Sequence, residues 1–250
     1  MQVSATRGLN MAFPAQNFSS FKPVRAGRNG TLIAVILDES GSMNSCRDAT
    51  ISGFNEFVQG QAATQGAGEA FLTLVKFDAP NITTVYENVN VKQTPQLNTH
   101  NYRPSGGTNL MDAIGNTMER INSFLGGMQE SDRPGVLIVI ITDGEENSSN
   151  TYNGDVIKSM VKTSEKDADW TFTFLGANVD AFQMGASFGM NVANTASYST
   201  SSMQATMDVV MSNTRAVRVA KMAGTSTQEL YASNALYSDA DRAKMNGQSK

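Results

Sequence analysis

Two short apolar runs constrain the fold of this chain more than any other feature. "LIAVIL" occupies residues 32–37 and "VLIVII" occupies residues 136–141, and neither run is interrupted by a polar residue. Strands that are buried on both faces of a parallel sheet have this continuous pattern, whereas half-buried strands alternate. Two further apolar runs, at 71–77 and 170–175, complete a set of four candidate strands.

Segments with helical spacing lie between these strands. Apolar residues recur every three or four positions in the regions 51–62, 110–125, 156–161 and 203–217, so that each region has one apolar stripe. The segment "ITTVYENVNVK" at 82–92 alternates instead, which predicts an exposed antiparallel edge strand. Strands that alternate with helices predict an α/β sandwich with a mostly parallel central sheet and right-handed crossovers.

The composition excludes several classes of protein. Cys46 is the only cysteine and His100 the only histidine, so the chain can form neither an internal disulfide nor a zinc site of the Cys/His kind. No apolar run approaches the roughly 18 residues that cross a bilayer, and residues 1–20 lack the pattern of a secretory signal. We therefore expect a cytoplasmic protein, or one assembled into a larger particle, with no membrane insertion.

Charge is unevenly distributed along the chain. Residues 1–30 carry four basic residues and no acidic one, which leaves 15 basic and 23 acidic residues in the remainder. This acidic remainder argues against nucleic-acid binding. We expect a basic leader arm at 1–27 that is extended or flexible, one folded domain at 28–222, and a polar tail at 223–250 that is loosely packed or disordered.

Polar residues follow two of the predicted strands, at the point where each strand ends. Asp38, Ser40 and Ser42 of "DESGS" come directly after the first strand, and Asp143 comes after "VLIVIIT". Thr108 of "SGGTNL" precedes a predicted helix. Ligands of such sheets bind beyond the carboxyl ends of the strands, so we expect these five side chains to converge on one edge.

The five side chains offer only oxygen atoms, which hard divalent cations such as Mg²⁺ and Mn²⁺ prefer. Three are neutral hydroxyls and two are carboxylates, so the charge of a divalent ion would at most be cancelled. A vacant position on the ion would still attract an anion. An aspartate or glutamate from a partner protein could therefore complete the coordination.

These motifs resemble the metal-ion-dependent adhesion site of the von Willebrand factor type A (vWA) domain family. The resemblance rests on "DESGS" at 38–42, the threonine at 108 and "TDG" at 142–144, and it covers roughly residues 28–222. It implies a Rossmann-like three-layer sandwich with helices on both faces of the sheet. It also implies that the last helix, near 202–222, shifts when the site engages a ligand.

The resemblance also implies roles for single residues. The hydroxyl oxygens of Ser40, Ser42 and Thr108 would contact the metal, and Asp38 and Asp143 would act directly or through water.

Each residue also has a simpler interpretation. Asp38 and the two serines could cap a helix that starts near 45–48, and Thr108 could cap the helix that follows it. Cys46 is expected to be a small buried residue, and His100 a surface residue. Glu145 and Glu146 are expected to be solvated.

The favoured function is a metal-dependent protein-recognition module without catalytic activity. The alternatives are a bacterial or viral assembly component, which could be a homo-oligomer, and an adaptor of a MoxR-type AAA+ ATPase. A phosphoryl-transfer enzyme with Asp38 as nucleophile is less well supported, because Ser40 stands where aspartate-based phosphatases carry a second aspartate.

Overall fold

The computed structural model describes residues 21–177, 180–233 and 236–248. Within these ranges six strands form one sheet, in the order β3-β2-β1-β4-β5-β6. The strands are β1 (Thr31–Asp38), β2 (Ala70–Asp78), β3 (Asn81–Asn90), β4 (Gly135–Thr142), β5 (Thr171–Ala177) and β6 (Thr195–Tyr198). All neighbouring strands are parallel except β2 and β3, which are antiparallel.

The two continuous apolar runs form the centre of the sheet. β1 pairs with β2 on one side and with β4 on the other, so that Val35 lies between Leu74 and Val139. Every residue of β1 and β4 is buried. The predicted edge strand is confirmed as β3, whose residues are partly or fully exposed.

Helices cover both faces of the sheet, as expected for a three-layer sandwich. They are α1 (Arg47–Ala62), α2 (Leu110–Gly126), α3 (Gly154–Ala168), α4 (Ala181–Ser187), α5 (Met203–Met222), α6 (Thr227–Ala232) and α7 (Asp239–Met245). Ile33 and Val35 of β1 belong to the core that includes α1 and α5, while Leu32 and Ile36 belong to the core that includes α2 and α3. This alternation follows from the period of two along a strand. The predicted fold class is confirmed.

The segment that follows α5 is more ordered than expected from its polar composition. It forms α6 and α7, each of which begins with a capping box, at Ser226 and at Ser238. Its few large apolar side chains are buried, among them Tyr231, Tyr237 and Met245. The expectation of loose packing is therefore wrong for the described residues 223–233 and 236–248, because a few anchoring side chains and two local caps suffice to hold them.

The C-terminal segment also contacts the edge of the sheet at β6. The carbonyl oxygen of Thr195 accepts a hydrogen bond from Arg242 at 2.5 Å, and that of Ser197 accepts one from Asn246 at 3.2 Å. The guanidinium of Arg242 also lies 5.2 Å from the ring centroid of Phe182. These contacts hold α7 along β6.

The described part of the leader arm packs against the core that includes α2 and α3. Val24 accepts a hydrogen bond at its carbonyl oxygen from the Trp170 indole at 3.0 Å, and the amide of Ala26 donates to the carbonyl oxygen of Ala168 at 2.8 Å. Residues 1–20 lie outside the described residues, and the division of the chain at 27 and 222 stays a prediction. None of the described helices has the length and apolar character needed to span a bilayer.

Candidate metal-binding site

The ends of two adjacent strands bring the predicted ligands together. β1 and β4 are parallel and pair Leu37 with Ile141, so Asp38 and Asp143 follow at the same edge of the sheet. The turn after β1 carries the two serines. Ser40 Oγ lies 3.1 Å from Ser42 Oγ, and Ser42 Oγ donates to Asp143 Oδ1 at 2.6 Å. These side chains therefore form one continuous group of oxygen atoms.

Thr108 reaches the same group beside Gly144. A Cβ atom placed on Gly144 would lie 3.2 Å from Thr108 Oγ1 and 3.7 Å from Ser42 Oγ, so both hydroxyls approach this glycine closely. The backbone of Thr108 is fixed from the loop after β4, because its amide donates to Asn147 Oδ1 at 3.0 Å. The structure thus brings all five predicted residues to one place.

The loop that carries Thr108 packs directly against the turn that carries the serines. The amide of Gly41 donates to the carbonyl oxygen of Gly106 at 3.2 Å. Gly106 has a φ of 65°, and a Cβ atom there would lie 2.6 Å from the carbonyl oxygen of Ala79. Only glycine combines this left-handed backbone with so close an approach.

Asp38 is fully buried and held at both carboxylate oxygens. Oδ1 accepts the amide of Ser40 at 2.7 Å, and Oδ2 accepts the hydroxyl of Thr142 at 2.6 Å. Burial raises the pKa of Asp38 to about 6, although the hydrogen bonds from Ser40 and Thr142 act in the opposite direction. Thr142 was not predicted as a site residue, and its position directly before Asp143 is the signal that marks it.

The carboxylate of Asp143 is buried, and only one of its two oxygen atoms accepts a hydrogen bond from the described residues. Its Oδ1 accepts the hydrogen bond from Ser42, whereas its Oδ2 accepts none from the described residues. Burial raises the pKa of this carboxyl group. A buried carboxylate oxygen without a partner is costly, and a cation beside it removes that cost. The donor set of hydroxyls and carboxylates matches a hard divalent ion.

The group opens to solvent on one side. Ser42 is exposed, while Asp38, Ser40, Thr108 and Asp143 are all buried. A molecule that approaches from solvent therefore meets this group on the side of Ser42.

Helix capping does not explain these residues. The N-cap of α1 is Cys46, and the N-cap of α2 is Asn109. Ser40 precedes a 3₁₀ helix at Gly41–Cys46 but makes no side-chain capping hydrogen bond there. The capping interpretation of Asp38, Ser40, Ser42 and Thr108 is therefore wrong.

Of the comparisons with known proteins, only the one with solved structures gives matches, and these support the fold described above. No protein-family model and no curated protein matches this chain. Among solved structures, proximal thread matrix protein 1 (PTMP1) from the mussel byssus, crystal form 2, matches with a TM-score of 0.53 at 14% identity, over 75% of this chain and 48% of that chain. The same protein with a zinc-occupied MIDAS motif matches with a TM-score of 0.51 at 16% identity, over 76% of this chain and 48% of that chain. This chain has the von Willebrand factor type A fold. It spans about half the length of these matched structures.

The sequence alone did not predict one buried ion pair beside the site. Lys76 on β2 of the vWA fold contacts both carboxylate oxygens of Glu39, at 2.7 and 2.8 Å, and donates to the carbonyl oxygen of Asn101 at 2.6 Å. Glu39 also accepts the amide of Arg103 at its side chain, and the amide of Ser105 at its carbonyl oxygen. The available signal was the single charge inside the apolar run "FLTLVKF".

Glu146 differs from its expected role as a solvated acid. It is half-buried and accepts hydrogen bonds from the amides of Met111, Ser148 and Ser149 at 2.7–2.8 Å. It therefore binds the first turn of α2 to the loop after β4, while Glu145 is exposed as expected.

Two other expectations for single residues are confirmed. Cys46 is buried, and its thiol donates to the carbonyl oxygen of Met43 at 3.6 Å. His100 is exposed on the loop before Tyr102. In the part of the vWA fold that the structure describes, no three His, Cys, Asp or Glu side chains cluster to hold a metal.

Proposed function

We propose that this chain binds Mg²⁺ or Mn²⁺ at the carboxyl ends of β1 and β4, and that the bound ion accepts an acidic side chain from a partner protein. The ligand set is Asp38, Ser40, Ser42, Thr108 and Asp143. The observation that carries the proposal is the buried Oδ2 atom of Asp143, which has no hydrogen-bond donor among the described residues, while Oδ1 of the same carboxylate accepts the Ser42 hydroxyl.

Each of the five residues would have its own role in binding the ion. Ser40, Ser42 and Thr108 would offer hydroxyl oxygens, and Asp143 would offer its free Oδ2. Asp38 would act directly or through water, because each of its carboxylate oxygens already accepts one hydrogen bond. The ion supplies a positive centre that attracts an anion.

The charge balance favours recognition of an acidic partner. Two carboxylates cancel the charge of a divalent ion at most, so hydroxyl ligands leave it able to attract a further carboxylate. The open side at Ser42 is where that group would enter. The zinc-occupied MIDAS motif of PTMP1 supports the proposal by showing a divalent ion in a chain that shares this fold.

We propose recognition rather than catalysis. Asp38 is fully buried and both of its carboxylate oxygens accept short hydrogen bonds, so it is poorly placed to act as a nucleophile. The acid that would assist it two positions later is replaced by Ser40.

Metal binding is tested by titrating the chelator-treated protein with Mn²⁺, using electron paramagnetic resonance to count free ion and Mg²⁺ as a competitor. We expect one site that Asp143→Asn abolishes. The control is Glu145→Gln, which removes an exposed acid two residues away and should leave binding unchanged. Equal binding by both variants and the wild type would refute the site.

Partner recognition is tested by affinity capture with the tagged protein in Mg²⁺, in EDTA, and with Asp143→Asn. We expect a partner that is retained only by the wild type with metal, and that is lost when one of the partner's own surface acids is neutralised. Partners that bind equally in all three arms would instead favour the assembly role, which light scattering of the purified chain would then address.

A further inference from the structure

Arg218 on α5 is a buried cation that forms no ion pair with an acidic side chain among the described residues. The residue is 1% exposed. Its NH1 atom donates to the carbonyl oxygen and to Oε1 of Gln61, both at 3.0 Å, and its NH2 atom donates to the carbonyl oxygen of Gly68 at 3.1 Å. All three acceptors are neutral. Its Nε atom is buried and has no hydrogen-bond partner among the described residues.

The protein compensates this charge only in part. Gln61 lies in the last turn of α1, where free carbonyl groups give a partial negative charge. Burial nevertheless lowers the pKa of Arg218 to about 10, and the neighbouring Arg215 acts in the same direction. The guanidinium therefore remains charged near neutral pH, with no ion-pair partner in the part of the chain that the structure describes. Burying an unpaired charge is expensive, so an anion at this position would be stabilised.

A cavity of about 300 Å³ lies next to this guanidinium. It is formed by the end of α1, the start of β2 and the end of β3, and its wall includes Arg218, Lys92, Gln61, Thr64 and Glu69. Ala70 at the start of β2 also lines it, which places the cavity near the amino end of a parallel strand. The candidate metal site lies at the opposite, carboxyl edge of the sheet.

We propose that this cavity binds a small oxyanion, the chemistry shared by phosphate, sulfate and carboxylate groups. Arg218 supplies a buried positive charge and a free Nε–H in a planar fork that matches the oxygen atoms of such anions. Lys92 supplies a second positive charge at the exposed mouth. Because Arg218 is 1% exposed and lines the cavity, its charge acts on an anion held there at short range.

Glu69 allows the effect of charge on anion binding to be tested. Its side chain is exposed and lines the same cavity, so its carboxylate opposes an anion that Lys92 attracts. Neutral replacements at these two positions should therefore act in opposite directions. Both positions are exposed, so neither replacement threatens the fold.

The experiment measures anion binding by calorimetry, and by the thermal midpoint in phosphate, sulfate, acetate or chloride at one ionic strength. The protein and the buffers are first freed of divalent metal on a chelating resin, so the candidate metal site does not contribute. We expect at least one of the three oxyanions to raise the midpoint above chloride. Lys92→Gln should weaken binding roughly two- to fivefold, Glu69→Gln should tighten it by a similar factor, and Arg218→Gln should abolish it.

The control is Lys158→Gln, which removes an exposed lysine on α3 that does not line the cavity. A response to phosphate and sulfate alone would identify a tetrahedral anion, and a response to acetate alone would identify a carboxylate. Equal responses to all three would show that the cavity recognises the chemistry they share. The proposal is overturned if no oxyanion exceeds chloride. It is also overturned if Lys92→Gln and Glu69→Gln change the affinity no more than Lys158→Gln does.

Discussion

The Nζ atom of Lys76 lies 2.7 Å from Oε2 of Glu39, and only 10% and 9% of the two side chains are exposed. Glu39 stands between Asp38 and Ser40, two of the proposed ligands. Through the amides of Arg103 and Ser105 it also holds the loop that leads to Thr108. The pair therefore connects two of the three segments that form the candidate metal site.

Removing one partner of this pair should damage both stability and metal binding. We expect Lys76→Met to destabilise the protein by roughly 3–5 kcal/mol, because it leaves Glu39 buried without its counter-charge. Urea unfolding measures this loss, and Mn²⁺ titration should show weaker binding. The double variant Lys76→Met/Glu39→Gln should recover part of the stability. A double variant as unstable as the sum of the two single variants would contradict this account.

Gly144→Ala should weaken metal binding without unfolding the protein. The new Cβ atom would lie 3.2 Å from Thr108 Oγ1, a tight contact that would push this hydroxyl by a few tenths of an ångström out of its position in the group of oxygen atoms. We expect a loss of affinity of about tenfold or more. The matched control is Gly154→Ala, where no atom lies within 4 Å of the new Cβ. Similar Mn²⁺ affinities in the two variants would show that Thr108 does not bind the ion.

Glu165 on α3 should make stability depend on pH. Burial raises its pKa from 4.5 to about 7, while Lys162 and a 2.7 Å hydrogen bond from the Tyr231 hydroxyl act in the opposite direction. Since the folded state holds this proton more tightly than the unfolded state, the contribution is complete below the lower pKa and is lost as pH rises through about 7.

The measurement for Glu165 is urea unfolding of the wild type and of Glu165→Gln between about pH 5 and pH 8. The variant should gain stability relative to the wild type as the pH rises. Asp167→Asn, which removes an exposed acid on the same helix, is the control. A difference between the wild type and Glu165→Gln that does not change with pH would refute the prediction.

The segment after α5 should contribute to global stability. Met245 is fully buried in the core that includes α1 and α5, so Met245→Ala should cost roughly 2–5 kcal/mol. Lys244→Ala next to it should cost little, because its 3.7 Å contact with Asp208 is exposed. Thermal unfolding separates the two results. An unchanged midpoint for Met245→Ala would show that α7 detaches without affecting the rest of the domain.

The sequence predicted those parts of the structure that have a local pattern. The uninterrupted runs of β1 and β4 and the alternation of β3 identified the centre and one edge of the sheet. The five oxygen-bearing residues were found because parallel strands place their carboxyl ends together. This reasoning covers Asp38, Asp143 and the serines after β1, whereas Thr108 was included because of its place before a helix and the resemblance of its motif.

The remaining features depend on contacts between distant residues. Glu39 and Lys76 are far apart along the chain, and nothing near either residue indicates that the two charges meet. β6 has only four residues, too few for a recognisable period. The segment with α6 and α7 is polar on average, but burial of Tyr231 and Tyr237 depends on a surface that the rest of the fold provides.

The position of α7 along β6 affects how readily this edge strand can pair with another molecule in a concentrated solution. An edge strand with free carbonyl groups is a template on which the strand of another molecule can pair. Arg242 and Asn246 occupy the carbonyl oxygens of Thr195 and Ser197, so β6 offers fewer free acceptors to an incoming strand. The last helix of the described chain thus disfavours pairing between this edge strand and a strand of another molecule.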